Sequence, residues 1–233
     1  MIIPRHSIPC RAIDNILYRM FLEVPHCELN RLYSHDNSPR YSNLLLQFQK
    51  LYGRKPEFIA RAPGRVDIIG GHLDYNNYPV LPIALETDCL IAVATSQSEN
   101  VEVNHVEEEY PGQILPVDPE AKVEFKGNYL KYFRAGYRAG VKRLDPSKLR
   151  GMQVVIGGNV PKAAGLSSSA AFTVCSALSS LHANGGDQGP YVEGSRERFL
   201  EDVIVGEMET GVAAGGMDQS ISVLGKLGTC LYI

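Results

Sequence analysis

The chain has 233 residues, of which 44% are hydrophobic and 21% are charged. This composition is typical of a folded globular protein of one or two domains, and it excludes an intrinsically disordered chain. Lys plus Arg total 23 and Asp plus Glu total 26, for a net charge of -3 at pH 7. This balance argues against a nucleic-acid partner, because binding to nucleic acid requires concentrated positive charge.

Membrane insertion and secretion are not indicated either. No apolar run reaches the ~18–20 residues that span a bilayer, and Pro, Arg and His interrupt the first residues, which lack a signal-peptide core. The five cysteines are widely spaced and form no C-x-x-C pair, which argues against a disulfide framework or a zinc site. We expect a cytoplasmic monomer without a membrane or nucleic-acid partner.

Apolar residues at helical spacing predict two helices near the N-terminus, over residues 11–24 and 41–53. Gly53 is in position to end the second helix. We assign residues 1–53 to a helical extension that packs on a main domain over residues 54–233.

The main domain contains both strand and helix patterns. Strands are predicted over residues 57–62, 65–69, 89–94, 152–156 and 229–233. One helix is predicted to start after the serine run 167–169 and to stop near residues 184–186, and another is predicted over residues 197–210. Glu207 lies at the edge of the apolar face of this last helix, where it could be an exposed flank or point into a cleft. The fold class is α+β, with a mixed sheet packed with helices and no regular strand–helix alternation.

A loop over residues 157–171, GGNVPKAAGLSSSAA, leads from a predicted strand into a helix. Its glycines allow the backbone to approach a ligand closely, and the N–H groups that begin a helix stabilise an anion by about 0.3–1 kcal/mol through the macrodipole. The serine hydroxyls can contact phosphate oxygens or a hard cation such as Mg²⁺. The loop is not a Walker A motif, because Gly-Lys-Ser/Thr is absent. A serine-capped helix after a flexible turn is the alternative interpretation.

Two further segments combine glycines with polar side chains. In RAPGRVDIIGGHLDYN (residues 61–76), His72 and Asp74 face the same way if the chain is extended, as a site for vicinal sugar hydroxyls requires. In GGMDQS (residues 215–220), Asp218 could orient or deprotonate a hydroxyl. An ordinary surface turn is the alternative for each segment taken alone.

Taken together, the three segments resemble the GHMP small-molecule kinases and, within them, the galactokinases. GRVDIIGGHLDYNNYPVLP is similar to the galactokinase signature, GNVPKAAGLSSSAA to the ATP-binding motif, and GGMDQSIS to the segment of the catalytic aspartate. The stretches PIALETDCLIAVA and GGMDQSIS lean toward the N-acetylgalactosamine kinase branch. The resemblance extends over roughly residues 57–233 and implies a GHMP N-terminal domain of the ribosomal protein S5 domain 2-like fold.

The resemblance implies transfer of the γ-phosphate of ATP to the anomeric hydroxyl of galactose, which gives galactose 1-phosphate, with ATP and Mg²⁺ as cofactors and a small sugar as substrate. N-acetylgalactosamine or L-arabinose kinase, and a catalytically weak galactokinase-like sugar sensor, are the alternatives. Phosphoryl transfer depends mainly on positioning and charge neutralisation, in agreement with the residue types present.

The resemblance also implies a role for each site residue. Asp218 matches the catalytic aspartate, with Arg65 beside it to favour its charged form; proton abstraction and transition-state stabilisation by Asp218 both stay open. The implied sugar-binding residues are Gly71, His72, Asp74, Gly216 and Asp218. The implied nucleotide-binding residues are Gly165, Leu166, Ser167, Ser168, Ser169 and Ala170. The implied Mg²⁺ ligands are Ser169 and Glu207.

The chain departs from the galactokinase pattern in two respects. Galactokinases have a glutamate immediately before the motif histidine, where this chain has Gly71. Loss of a charge-assisted hydrogen bond to the sugar would weaken binding by about 1.5–3 kcal/mol or change the preferred sugar. The family also has a C-terminal domain, which is absent from these 233 residues. We therefore expect the isolated chain to be catalytically impaired.

Overall fold

The computed structural model describes residues 2–4, 38–71, 73–76, 78–185, 195–212 and 214–233. A six-stranded sheet in this part of the chain has the order β1-β2-β3-β6-β4-β5. Neighbouring strands are antiparallel, except for the parallel pair β4–β6. The predicted α+β class and mixed sheet are confirmed. The strands are β1 (Ile2–Pro4), β2 (Phe58–Asp67), β3 (Pro82–Ser96), β4 (Asn100–His105), β5 (Gln113–Pro116) and β6 (Gly151–Gly158).

Helices cover both faces of the sheet, which produces two apolar cores. Strand β3 demonstrates the division, because successive side chains of a strand point to opposite faces: Leu90 and Ala92 pack on the first helix, and Ile91 and Val93 pack on the helix layer of the other face. The helices are α1 (Ser38–Tyr52), α2 (Tyr129–Val141), α3 (Ser168–Ala183), α4 (Ser195–Met208) and α5 (Met217–Leu224). None of the helices in the described ranges is long and apolar enough to cross a membrane.

Helix α1 confirms the predicted helix over residues 41–53. Leu44 and Phe48 are fully buried against the sheet, whereas Leu51, which shares the predicted stripe, is half exposed. Gly53 has a φ of +68° and donates its N–H to the carbonyl of Gln49, as a C-terminal glycine does. The predicted helix over residues 11–24 lies outside the described residues, and the domain boundary at residue 54 stays a prediction.

Strand β2 joins the two strands that were predicted separately over residues 57–62 and 65–69. The sequence Pro63-Gly64 suggested a break, but the chain remains extended and only the pairing with β3 shifts, between Pro63 and Arg65. Such an irregularity bends a strand without ending it. Consequently Arg65, just beyond the shift, is placed for contacts outside the sheet.

The predicted strand over residues 229–233 is wrong as a regular strand. The segment is extended and forms three backbone hydrogen bonds: Leu231 donates to Pro82, and Ile233 exchanges two with Val80. A proline has no N–H to donate. The ladder therefore cannot continue past Pro82, and a short pairing replaces a strand.

Helix α2 was not predicted, because two glycines interrupt its apolar pattern. A Cβ atom at Gly136 or Gly140 would overlap backbone atoms of α3. The glycines thus permit close contact between α2 and α3, an effect that outweighs their poor intrinsic helix propensity.

We expect Gly140→Ala to lower the free energy of unfolding by about 1–3 kcal/mol, because the added methyl group overpacks the contact with Ala177. Thermal or urea unfolding measures the change. Gly157→Ala is the matched control, since its Cβ would lie 3.5 Å from the nearest side chain. Equal stability of the two variants would contradict this account of the helix contact.

Candidate active site

Three segments meet around Asp218 at the end of β2. Arg65 donates from Nε to Asp218 Oδ1 at 2.6 Å and from its guanidinium to the Gly165 carbonyl at 2.7 Å. Ser167 Oγ donates to the other oxygen of Asp218. The strand, the loop before α3 and the start of α5 are therefore connected through a single carboxylate.

The loop before α3 has an unusual backbone. Ala163 and Ser167 both have a φ of +54°, and Gly165 has a φ of +71°. Left-handed conformations are unfavourable for residues with a side chain and occur mainly where surrounding contacts impose them. The contact of Ser167 with Asp218 and the bond from the Arg65 N–H to the Leu166 carbonyl supply such contacts.

Helix α3 begins at Ser168, inside the serine run, and its first turn is the predicted anion site. The bond from the Ala171 N–H to the Ser167 carbonyl is the first of the helix. The N–H groups of Ser168, Ser169 and Ala170 precede it, without a helical acceptor. The Ala170 side chain is buried, so that only its backbone is available to a ligand.

The start of α5 fixes Asp74 next to Asp218. Gly216 has a φ of +97°, and the Met217 N–H donates to Asp74 Oδ2 at 3.3 Å. A Cβ at Gly215 would overlap Asp74 and the backbone of Tyr75, so a glycine is required for this approach. The predicted sugar-binding residue His72 lies outside the described residues.

Glu207 is buried and points toward the cleft, rather than lying on an exposed flank. Gln219 donates to its Oε2 at 2.7 Å, and the nearby Ser169 hydroxyl favours the charged form of the carboxyl. Burial raises the pKa of Glu207 above its ordinary value, and repulsion by Asp218 adds to the increase.

Glu207 and Ser169 together fit a magnesium site. Mg²⁺ prefers oxygen ligands and commonly takes only one or two from the protein, with water and phosphate completing its shell. A bound cation would also stabilise the buried carboxylate. In the described ranges, no group of three or more His, Cys, Asp or Glu side chains forms an all-protein cage for a metal.

These residues line a cavity of about 570 Å³, here called the acidic cavity. Its charged lining residues in the described part of the chain are four carboxylates and one arginine. They are Asp67, Asp74, Glu207, Asp218 and Arg65. Gly71 and Gly165 also line it, together with the three serines that begin α3.

A second cavity of about 330 Å³, the aromatic cavity, lies on the other side of the serine run. Tyr110, Tyr129 and Phe172 line it, and Tyr110 and Tyr129 pack edge to face with centroids 5.1 Å apart. His105 belongs to the same wall, where burial lowers its pKa to about 4, so that it is neutral at pH 7. Ser168 and Ser169 line both cavities.

The structure brings together the described residues of the three sequence motifs. Sequence reasoning missed the aromatic cavity, because its residues are far apart in the chain and form no local pattern. It also missed Asp67 and Gln219. Gln219 directly follows the predicted catalytic residue Asp218, and this position was the sequence signal that could have placed Gln219 in the site.

The raised pKa of Glu207 predicts the pH dependence of stability. Near pH 4 the carboxyl of Glu207 is largely protonated in the folded and in the unfolded protein. As the pH rises, the unfolded protein loses this proton first. The free energy of unfolding therefore falls with rising pH. We expect Glu207→Gln to avoid this loss and to raise Tm at pH 7.5. The gain should vanish near pH 4.

Differential scanning calorimetry at both pH values, without Mg²⁺, measures this difference. Glu201→Gln, at an exposed position of the same helix, is the matched control and should leave Tm unchanged. A Tm difference for Glu207→Gln that does not depend on pH would contradict the prediction.

Two family models and several galactokinases match the sequence of this chain. The galactokinase galactose-binding signature matches residues 46–95, and the N-terminal domain of GHMP kinases matches residues 128–226. A galactokinase of Schizosaccharomyces pombe is 37% identical over 213 residues, which are 85% of this chain and 40% of that protein. A galactokinase of Candida maltosa is 33% identical over 202 residues, covering 84% of this chain and 92% of that protein.

The chain spans about 40% of the length of the Schizosaccharomyces pombe and Candida parapsilosis galactokinases. Among solved structures, Lactococcus lactis galactokinase complexed with galactose has a TM-score of 0.66 at 23% identity, over 83% of this chain and 48% of that one. Methanococcus jannaschii mevalonate kinase has a TM-score of 0.62 at 18% identity, over 75% and 52%. These structures share the fold, and the sequence matches identify the chain as a member of the galactokinase family of GHMP kinases.

Proposed function

We propose that this protein is an ATP-dependent sugar 1-kinase that phosphorylates the anomeric hydroxyl of galactose to give galactose 1-phosphate. The observation that carries the proposal is the position of Asp218, bound by Arg65 and Ser167 directly before the first turn of α3. A carboxylate that can orient a hydroxyl thus lies next to unpaired N–H groups that can bind a phosphate.

The arrangement of the two cavities supports a placement for both substrates. The aromatic cavity is suited to a planar base, and the acidic cavity to a polar sugar. The serines that the cavities share lie between them. A nucleotide with its base among Tyr110, Tyr129 and Phe172 would therefore have its phosphates at the start of α3 and its terminal phosphate toward Asp218.

The start of α3 and Glu207 would neutralise the charge of the phosphates. The N–H groups of Ser168, Ser169 and Ala170 and the helix macrodipole attract an anion. Glu207 and the hydroxyl of Ser169 would hold Mg²⁺, which neutralises phosphate charge in this class of reaction.

Asp218 would act on the sugar. Its carboxylate accepts a hydrogen bond from the anomeric hydroxyl and aims that oxygen at the terminal phosphate, while Arg65 and Ser167 hold the carboxylate in place. Asp74 would bind another sugar hydroxyl, because α5 holds it beside Asp218. We extend the sugar site to Gly71, Gly216 and His72 on the basis of the sequence motifs.

We expect Asp218→Asn, in the full-length protein, to reduce kcat by about 10²- to 10⁴-fold, since the amide keeps the shape but loses the charge and the proton-accepting oxygen. Coupled ADP release is the assay, with galactose, N-acetylgalactosamine and L-arabinose as substrates. Galactose binding by calorimetry should change much less than kcat. Asp145→Asn, an exposed carboxylate outside both cavities, is the control; near-normal turnover of Asp218→Asn would refute the catalytic assignment.

Tyr110→Ala tests the placement of the base. An aromatic side chain stacked on a base contributes about 1–3 kcal/mol, so we expect the KM for ATP to increase roughly five- to hundredfold while the KM for galactose stays nearly constant. Tyr232→Ala, at a position that is 76% exposed, is the matched control. An increase in the KM for galactose alone would place the base elsewhere.

A further inference from the structure

The least expected feature of the acidic cavity is the carboxylate of Asp67. Both of its oxygens are buried, and neither has a hydrogen-bond partner among the described residues. Buried polar groups of native proteins are nearly always hydrogen-bonded, and an unpaired charge is especially unfavourable. The exception at Asp67 therefore points to a partner other than the described residues.

The course of β2 determines the direction of this carboxylate. Past the pairing shift, the register with β3 is regular from Arg65 to Asp67. Residues two apart on a strand share a face and lie about 7 Å from each other. Asp67 therefore follows Arg65 along the wall of the acidic cavity.

Residue 71, which has no side chain, lies in front of Asp67. A Cβ atom built on Gly71 would lie 3.7 Å from Asp67 Oδ2 and within 4 Å of no other atom outside its chain neighbours. The φ of Gly71 is not in the left-handed region, unlike that of Gly70 at +108°. A side chain at this position would thus be tolerated and would extend into the space that Asp67 faces.

No charge in the described lining of the cavity neutralises Asp67. Arg65 is the only cationic side chain there, and its hydrogen bonds are directed to Asp218 and Gly165. The carboxylates of Asp74, Glu207 and Asp218 repel an anion, and the other titratable group of the described lining, the phenol of Tyr75, carries no positive charge. A neutral polyol would supply hydrogen-bond donors for Asp67 through its hydroxyls.

We propose that Asp67 is a substrate-binding residue that accepts hydrogen bonds from sugar hydroxyls on the side of the ring away from the reacting hydroxyl, and that it determines sugar specificity. The inference rests on the proposed sugar kinase function and adds a contact that none of the three motifs assigned. In this role a carboxylate discriminates strongly between sugars, because a sugar that lacks the hydroxyl leaves the carboxylate buried and unpaired.

The first experiment measures sugar affinity by calorimetry in the full-length protein, independently of turnover. We expect Asp67→Ala to raise the Kd for galactose roughly ten- to hundredfold, which is the effect of removing a charge-assisted hydrogen bond. In ADP-release assays kcat should fall much less than Kd rises. Tm should be unchanged or higher, since an unpaired buried charge has been removed, whereas a structural role would lower it.

Asp67→Asn is a second variant of nearly the same shape and should also bind galactose more weakly. Asp145→Asn, outside the cavity, is the matched control. Monodeoxy galactoses identify the hydroxyl concerned: one of them should bind poorly to the wild-type protein, yet bind Asp67→Ala as well as galactose does.

Rescue provides the strictest test. In Asp67→Ala, the added substitution Gly71→Glu brings a carboxylate into the same space from the opposite side and should recover part of the galactose affinity. In the wild-type background, Gly71→Glu places two carboxylates together and should weaken binding.

Each result has a definite consequence. Galactose Kd values within twofold of wild type for both Asp67 variants would overturn the inference and leave the proposed function intact. An effect on kcat alone, or a lower Tm with no rescue by Gly71→Glu, would also overturn it. A wild-type protein that binds no neutral monosaccharide would overturn the inference and the proposed function together.

Discussion

The contact between Arg65 and Asp218 is the interaction on which the site depends. The two residues are 153 positions apart in the chain, yet they meet at 2.6 Å. Arg65 lies on strand β2, and Asp218 lies in the first turn of α5. Because the same arginine binds the Gly165 carbonyl and the same aspartate binds Ser167, one ion pair sets the position of the strand, the loop and the helix relative to one another.

A second buried ion cluster positions the beginning of that loop. Asp88 is fully buried and bound by Arg40 of α1 and Arg61 of β2. Its backbone exchanges two hydrogen bonds with Asn159, one of them to the Asn159 side chain. Helix α1, on the opposite face of the sheet from α3, is thereby connected to the loop that leads into the serine run. This connection gives the N-terminal segment a role in shaping the site as well as in covering the sheet.

The charges of the acidic cavity are unbalanced in the absence of ligands. Four carboxylates face one arginine, and the burial of Glu207 raises its pKa. Such an arrangement costs stability, as is common where a site is organised for a bound state rather than for the folded chain alone. A cation at Glu207 would neutralise a buried charge, a phosphate would accept hydrogen bonds from the N–H groups at the start of α3, and sugar hydroxyls would donate to Asp67.

The sequence by itself determined the fold class, the helix that ends at Gly53, and the segments that contain Arg65, Ser169, Glu207 and Asp218, because their signals are local: apolar period, glycine position and motif spacing. Only the tertiary structure decided that β2 continues through Pro63, that α2 forms despite its glycines, and that the aromatic cavity and Asp67 belong to the site. Each of these features depends on atoms from distant parts of the chain. The pairing shift with β3 keeps β2 continuous, and the close approach of α3 favours the glycines of α2. The lining of the aromatic cavity and the unpaired state of Asp67 are seen only when all the neighbouring residues are in place.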